Sequence, residues 1–183
     1  MYFMIISIIV ISVIGTVSHF SYDISKQNKI VGLFGAVNES TWEHIKIALT
    51  ATILWSVVDG YFYGVNSNYF LAKLVSLITV IILMPVLYYG YKYLFKKDNF
   101  IVNILIFYIV IICSQYLFFY IINIDSVSYL LQYISCIGIF IVFGFYMVLT
   151  LMPIKNFLFK DPVTKNYGFN RFFYNKISYY IYK

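Results

Sequence analysis

The sequence predicts an all-α, polytopic membrane protein: a bundle of about five transmembrane helices with a short interfacial or re-entrant segment after the first. Three observations carry this. The chain is 62% hydrophobic and only 11% charged, which leaves too little polar surface to cover a soluble domain. Apolar runs of about 20 residues, the length needed to cross a bilayer, recur along the chain with short connections between them. Lys and Arg gather at alternate connections, as they do in multi-span proteins.

The first run, about residues 1–20, begins at Met1 with no basic residue ahead of it. The stretch TVSHF offers no small-residue cleavage site, so an uncleaved helix is expected. Further spans are expected at about 42–63, 69–94, 99–122 and 127–153. Residues 1–154 would then form one membrane domain and 155–183 a tail on the cytoplasmic side. The connection 21–41 contains VGLFGAV, apolar but too short to span, and reads as a segment dipping toward the bundle. Behind it, Asn38 or Ser40 is a candidate helix cap, with Glu43 at the S-x-x-E capping-box spacing. In the tail, Asp161-Pro162 and Tyr167-Gly168 are turn signals. From Phe169 onward aromatics alternate with Arg171, Lys176 and Lys183, a pattern suited to the headgroup level of an anionic leaflet.

Three basic residues (Lys26, Lys29, Lys46) flank the first connection, three (Lys92, Lys96, Lys97) the third, and six lie between Lys155 and Lys183. Only Lys73 lies toward the alternate side. The expected orientation is therefore N-terminus outside and C-terminus inside, in a cell membrane. This distribution also accounts for the net charge of +6, so the bilayer is the expected partner, nucleic acid is not, and a protein partner stays unspecified. The 20 Tyr and 18 Phe reflect an AT-rich coding bias more economically than an aromatic ligand box. Cys113 and Cys136 lie inside apolar runs, where a thiol acts as a small hydrophobe.

The ionisable groups concentrate in HFSYDISKQNKIVGLFGAVNESTWEH, residues 19–44. His19 and Asp23 are four apart and share a helix face if the first helix runs through them. Glu39, Glu43 and His44 follow at the start of the second span. If the connection folds back, two imidazoles and three carboxylates meet, an inventory suited to zinc, iron or manganese. His19, His44 and Glu43 are the candidate ligands, and Glu39 or Glu43 a candidate base. Helix capping and interfacial pairing are the competing account of the same residues. Asp59, deep in the second span, either reaches water or marks a polar path. Ser114, Gln115, Gln132 and Ser135 could line such a path, or hydrogen-bond neighbouring helices.

The pattern His19-Phe20-x-Tyr22-Asp23, then Asn28, then Val31-Gly32-x-Phe34-x-Ala36-Val37-Asn38-Glu39-Ser40-x-Trp42-Glu43-His44, resembles the hallmark of a family of small bacterial integral membrane proteins, a domain of unknown function. The tail stretch Asp161-Pro162-Val163-Thr164-x-x-Tyr167-Gly168 resembles that family's second motif. The resemblance covers the first third of the chain and this tail patch. It implies shared polar residues on one face, without supplying an activity. Asp23, Asn38, Trp42, Asp161, Thr164 and Tyr167 within these motifs, together with Asp59 from the second span, are candidate binding residues. Three readings follow: a metal-assisted hydrolase or transferase on a lipid-type substrate, an ion or solute transporter, and a non-catalytic accessory subunit.

Overall fold

The computed structural model describes residues 2–169, so the basic–aromatic pattern expected beyond Phe169 lies outside the described residues. Six helices follow in order: α1 (Tyr2–Ile24), α2 (Lys29–Phe34), α3 (Thr41–Tyr63), α4 (Tyr69–Phe95), α5 (Phe100–Ile122) and α6 (Tyr129–Leu151). All but α2 are long and apolar enough to cross a membrane. Among the described residues there is no strand, only an isolated antiparallel bridge between Lys160 and Tyr167.

The helix most shielded from lipid is α3, which packs against α1, α4 and α5. That position explains its composition, because Glu43, Lys46 and Asp59 are buried inside the bundle instead of meeting hydrocarbon. Trp55 of α3 donates its indole N–H to Ser7 of α1 at 2.9 Å. Gly15 lets α1 approach α5, since a Cβ there would press into the Phe107 ring. The outer helices α1 and α6 expose rows of Ile, Val, Phe and Leu, as a lipid-facing surface requires.

The connection 21–41, expected to dip toward the bundle, contains α2. Asn28 caps its start by accepting from the Ile30 N–H at 2.9 Å. Its last carbonyls have no intrahelical donors, and packed against the bundle each needs another partner. Side chains from two other helices supply them. The Lys46 ammonium donates to Gly32 O (2.9 Å), Tyr146 OH to Leu33 O (2.7 Å) and Thr50 OH to Phe34 O (3.0 Å). Gly35 ends the helix hard against α1, where an added Cβ would collide with Ser21 Oγ and crowd Ser18 O. Ala36 N–H then bonds Ser18 O, so α2 is fastened at its C-terminal end to α1, α3 and α6.

Tyr146→Phe removes the hydroxyl shared by Leu33 O and Thr50 Oγ1, and leaves a buried carbonyl short of its donor. The expected loss is about 1–3 kcal/mol of stability, read as a lowered denaturation midpoint in mixed micelles. Conversion of Thr50 to Val removes the hydroxyl that donates to Phe34 O and should cost a comparable amount, although Tyr146 still reaches Leu33 O.

Candidate functional site

The C-terminal end of α1, the N-terminus of α3 and the tail meet at one end of the bundle. The α3 start is a half-formed capping box. Ser40 Oγ accepts from the Glu43 N–H at 3.4 Å, as the S-x-x-E spacing predicts. The reciprocal bond is displaced: Glu43 Oε2 accepts from Val37 N–H at 2.8 Å, while Ser40 N–H is taken by Asn38 Oδ1 at 2.8 Å. The same Glu43 oxygen lies 2.6 Å from Lys46 Nζ, and both side chains are almost fully buried. Glu43 therefore ties the α2–α3 loop to the helix interior.

That loop delivers Glu39 to the histidines. His19 Nε2 is 3.5 Å from Glu39 Oε2, with side chains 12% and 8% exposed. The His19 and His44 rings lie 5.4 Å apart between centroids. One potential ligand atom from each of His19, Glu39 and His44 falls within 4.8 Å of the other two. Ligands at about 2.0–2.1 Å from a tetrahedral ion stand roughly 3.3–3.4 Å apart, so His19 and Glu39 are already near that spacing and His44 is a small side-chain adjustment away. His44 Nδ1 is 3.0 Å from Ser40 O. A carbonyl only accepts, so Nδ1 carries the proton and the neutral ring keeps its lone pair on Nε2, as in carbonyl-oriented metal-binding histidines.

The sequence expectation grouped Glu43 with the histidines. The structure brings Glu39 there instead, and Glu43 is held by Val37 and Lys46. Asp23 sits one turn beyond His19 in the last turn of α1 and is not one of the three converging groups.

The tail forms the third wall. Asp161, fully buried, accepts from Val163 N–H (2.9 Å) and Thr164 OH (2.7 Å), closing a tight turn. Lys160 and Tyr167 bridge above it, and Gly168 takes a left-handed φ of 59° where its backbone reaches Asn38. Asn38 Nδ2 donates to Gly168 O at 3.1 Å, Trp42 N–H donates to Leu158 O at 3.0 Å, and the Trp42 indole stacks on Phe159 at 4.8 Å. Asn38 and Trp42 thus join the first motif physically to the tail, whose turn Asp161, Thr164 and Tyr167 shape. Beside the cluster lies a cavity of about 460 Å³, within the size range of small-molecule sites. His19, Glu39, Thr41 and His44 form one side, Ile104 and Phe107 of α5 another, and Pro162 and Val163 of the tail a third.

Asp59 is remote from this site. Near the other end of α3 it is fully buried, accepts from Tyr69 OH at 2.8 Å, and pairs with Lys73 of α4. The Lys73 ammonium also lies 4.7 Å from the centre of the Phe118 ring. Sequence reading treated Lys73 as a stray charge. The available signal was register: Asp59 and Lys73 are each seven residues from Asn66, in the turn between α3 and α4, so they face each other across the hairpin.

A multi-helix membrane protein with a histidine–carboxylate cluster beside an open cavity is the class this fold and site define. The chain belongs to a family of unknown function (DUF6512), which matches residues 1–169. That match takes in all six helices and the tail turn, well beyond the stretches that carried the resemblance in sequence. No curated protein and no solved structure matches the chain.

Proposed function

We propose that this protein is a membrane-embedded, metal-assisted hydrolase or transferase acting on a lipid-type substrate, with His19, Glu39 and His44 holding one divalent ion. The observation that carries the reading is the convergence of three ligand atoms within 4.8 Å on one side of a cavity whose other walls are largely apolar. Two imidazoles and one carboxylate are a donor set that zinc, iron and manganese all accept, and one that leaves a coordination position for water or substrate. Bound there, such an ion polarises a carbonyl or phosphoryl oxygen and acidifies a coordinated water. The chain's own residues orient the reaction. The Ser40 carbonyl fixes the His44 tautomer, and Glu43 and Lys46 hold the loop bearing Glu39. The Lys and Arg distribution supports a cytoplasmic location for this end of the bundle, with the bilayer supplying the substrate.

The test is metal analysis of protein purified without chelator. Wild type should carry about one equivalent of metal per chain, and His19→Ala and His44→Ala should each lose most of it, since removing one ligand of three abolishes the site. Glu43→Gln should retain the ion. Absence of stoichiometric metal, or its persistence in the His19→Ala/His44→Ala double variant, would sink the reading.

A further inference from the structure

We infer that the cavity opens sideways into the bilayer through a slot between α1 and α5, and that an acyl chain of a membrane lipid enters it there. Thr16 and Phe20 of α1 and Ile101, Ile104 and Tyr108 of α5 line the cavity. Their spacings put each set on one stripe of its helix, and none of the five is buried. Behind them the wall is made by Ile47 of α3 and Met84 of α4, only 1% and 3% exposed.

The slot reaches hydrocarbon depth. Thr16 lies eight residues before the end of α1 and Tyr108 eight residues after the start of α5, about 12 Å along each helix. At 23 residues each, the two helices are about 34 Å long against a hydrocarbon core of about 30 Å, so that level lies among lipid tails. There the helices touch. Tyr108 OH stands 3.3 Å from Thr16 Oγ1, and Gly15 meets Phe107 so closely that a Cβ would collide with the ring. Thr16 donates its own hydrogen to Ser12 O at 2.8 Å, which makes Tyr108 the donor of the pair. Both hydroxyls are thus satisfied without water, as a surface against lipid requires.

This contact closes the deep end of the slot, and from there to the site end the cavity lies between the two helices. The α5 edge, with Ile101 66% exposed, runs on into the lipid-facing Leu105 and Ile109. A tail can therefore slide in from the lipid-facing surface without crossing a polar barrier. His19 is less than one helical turn from Thr16 toward the site end, so a chain in the slot leaves the polar part of its lipid beside the histidine–carboxylate cluster. The substrate is then a lipid still seated in its leaflet, not one extracted into water. The inference rests on the proposed function only for the reaction at that cluster; entry of the chain depends on the slot alone.

The experiment is photolabelling of the full-length protein in phosphatidylcholine vesicles that contain phosphatidylcholine with a diazirine midway along one acyl chain, mapped by mass spectrometry. Wild type should be labelled at Met84 or Ile47, which bilayer lipid reaches only through the slot, as well as at Ile137 on the outer face of α6. Ile104→Trp and Phe20→Trp fill the slot from opposite edges, and at least one should lower the Met84 and Ile47 yield about tenfold while Ile137 stays within roughly twofold. Ile104→Val should keep the wild-type yield. Labelling of Ile137 with neither Met84 nor Ile47 in wild type, an unchanged yield in both tryptophan variants, or labelling of the two inner residues by a water-soluble diazirine alone overturns the inference. Metal content of the same preparations reports separately on the proposed function. Lipid labelling in a protein that never binds metal refutes that function and leaves the slot standing, whereas a metal-loaded protein whose inner residues stay unlabelled refutes the slot alone.

Discussion

Replacement of Lys46 by methionine is expected to destabilise the bundle by about 3–5 kcal/mol, the range for breaking a buried ion pair from one side. Lys46 is fully buried and serves two acceptors, Glu43 Oε2 at 2.6 Å and Gly32 O at 2.9 Å. Its removal strands a buried carboxylate with Val37 N–H as its remaining hydrogen-bond donor, and leaves an α2 carbonyl unsatisfied. Adding Glu43→Gln should recover part of the loss, because a neutral amide tolerates the site better than an unpaired charge. Denaturation midpoints of the three variants in mixed micelles check this. A loss below about 1 kcal/mol, the range of an exposed pair, would mean the ammonium is not enclosed as described.

The second large effect is expected at the opposite end of the bundle. Asp59→Ala leaves the Lys73 ammonium 2% exposed with an aromatic face and no carboxylate, and should likewise cost about 3–5 kcal/mol. The double variant Asp59→Leu/Lys73→Met should fall within about 1–2 kcal/mol of wild type, because apolar residues of similar volume often replace a buried pair with little loss. This contrast also bears on a transport path through Asp59. Both its oxygens are occupied by Lys73 and Tyr69, which gives the pair the role of a pin between α3 and α4. If the double variant is stable and retains metal at the distant cluster, that role is sufficient. If it folds but abolishes ion flux in liposomes, the pin account fails.

Much of the architecture was legible in the sequence because its causes are local. The five long helices follow apolar runs, and Ser40, one of the two cap candidates and the one at the S-x-x-E spacing, is the α3 cap. A break between the first two spans was legible from the length of VGLFGAV and its glycines, though not the three side chains that satisfy the α2 carbonyls. The partition of the carboxylates was not legible. Glu39 and Glu43 are one helical turn apart by spacing, and only the course of the loop decides that Val37 N–H and Lys46 capture Glu43, leaving Glu39 to face His19. The two lysines counted as interfacial or stray charges, Lys46 and Lys73, are among the most buried side chains of the described residues. Counting charges along a chain finds which end of a helix they occupy, and cannot see which partner on another helix neutralises them.

The central claim is that His19, Glu39 and His44 share one ion, and X-ray absorption at the metal edge of the purified, metal-loaded protein tests it most directly. The account predicts a first shell of nitrogen and oxygen at about 2.0–2.1 Å with an imidazole signature from two rings, reduced to one ring in His44→Ala with whatever metal it retains. Sulfur scattering, a shell lacking imidazole, or a spectrum unchanged by the His44 substitution would contradict it.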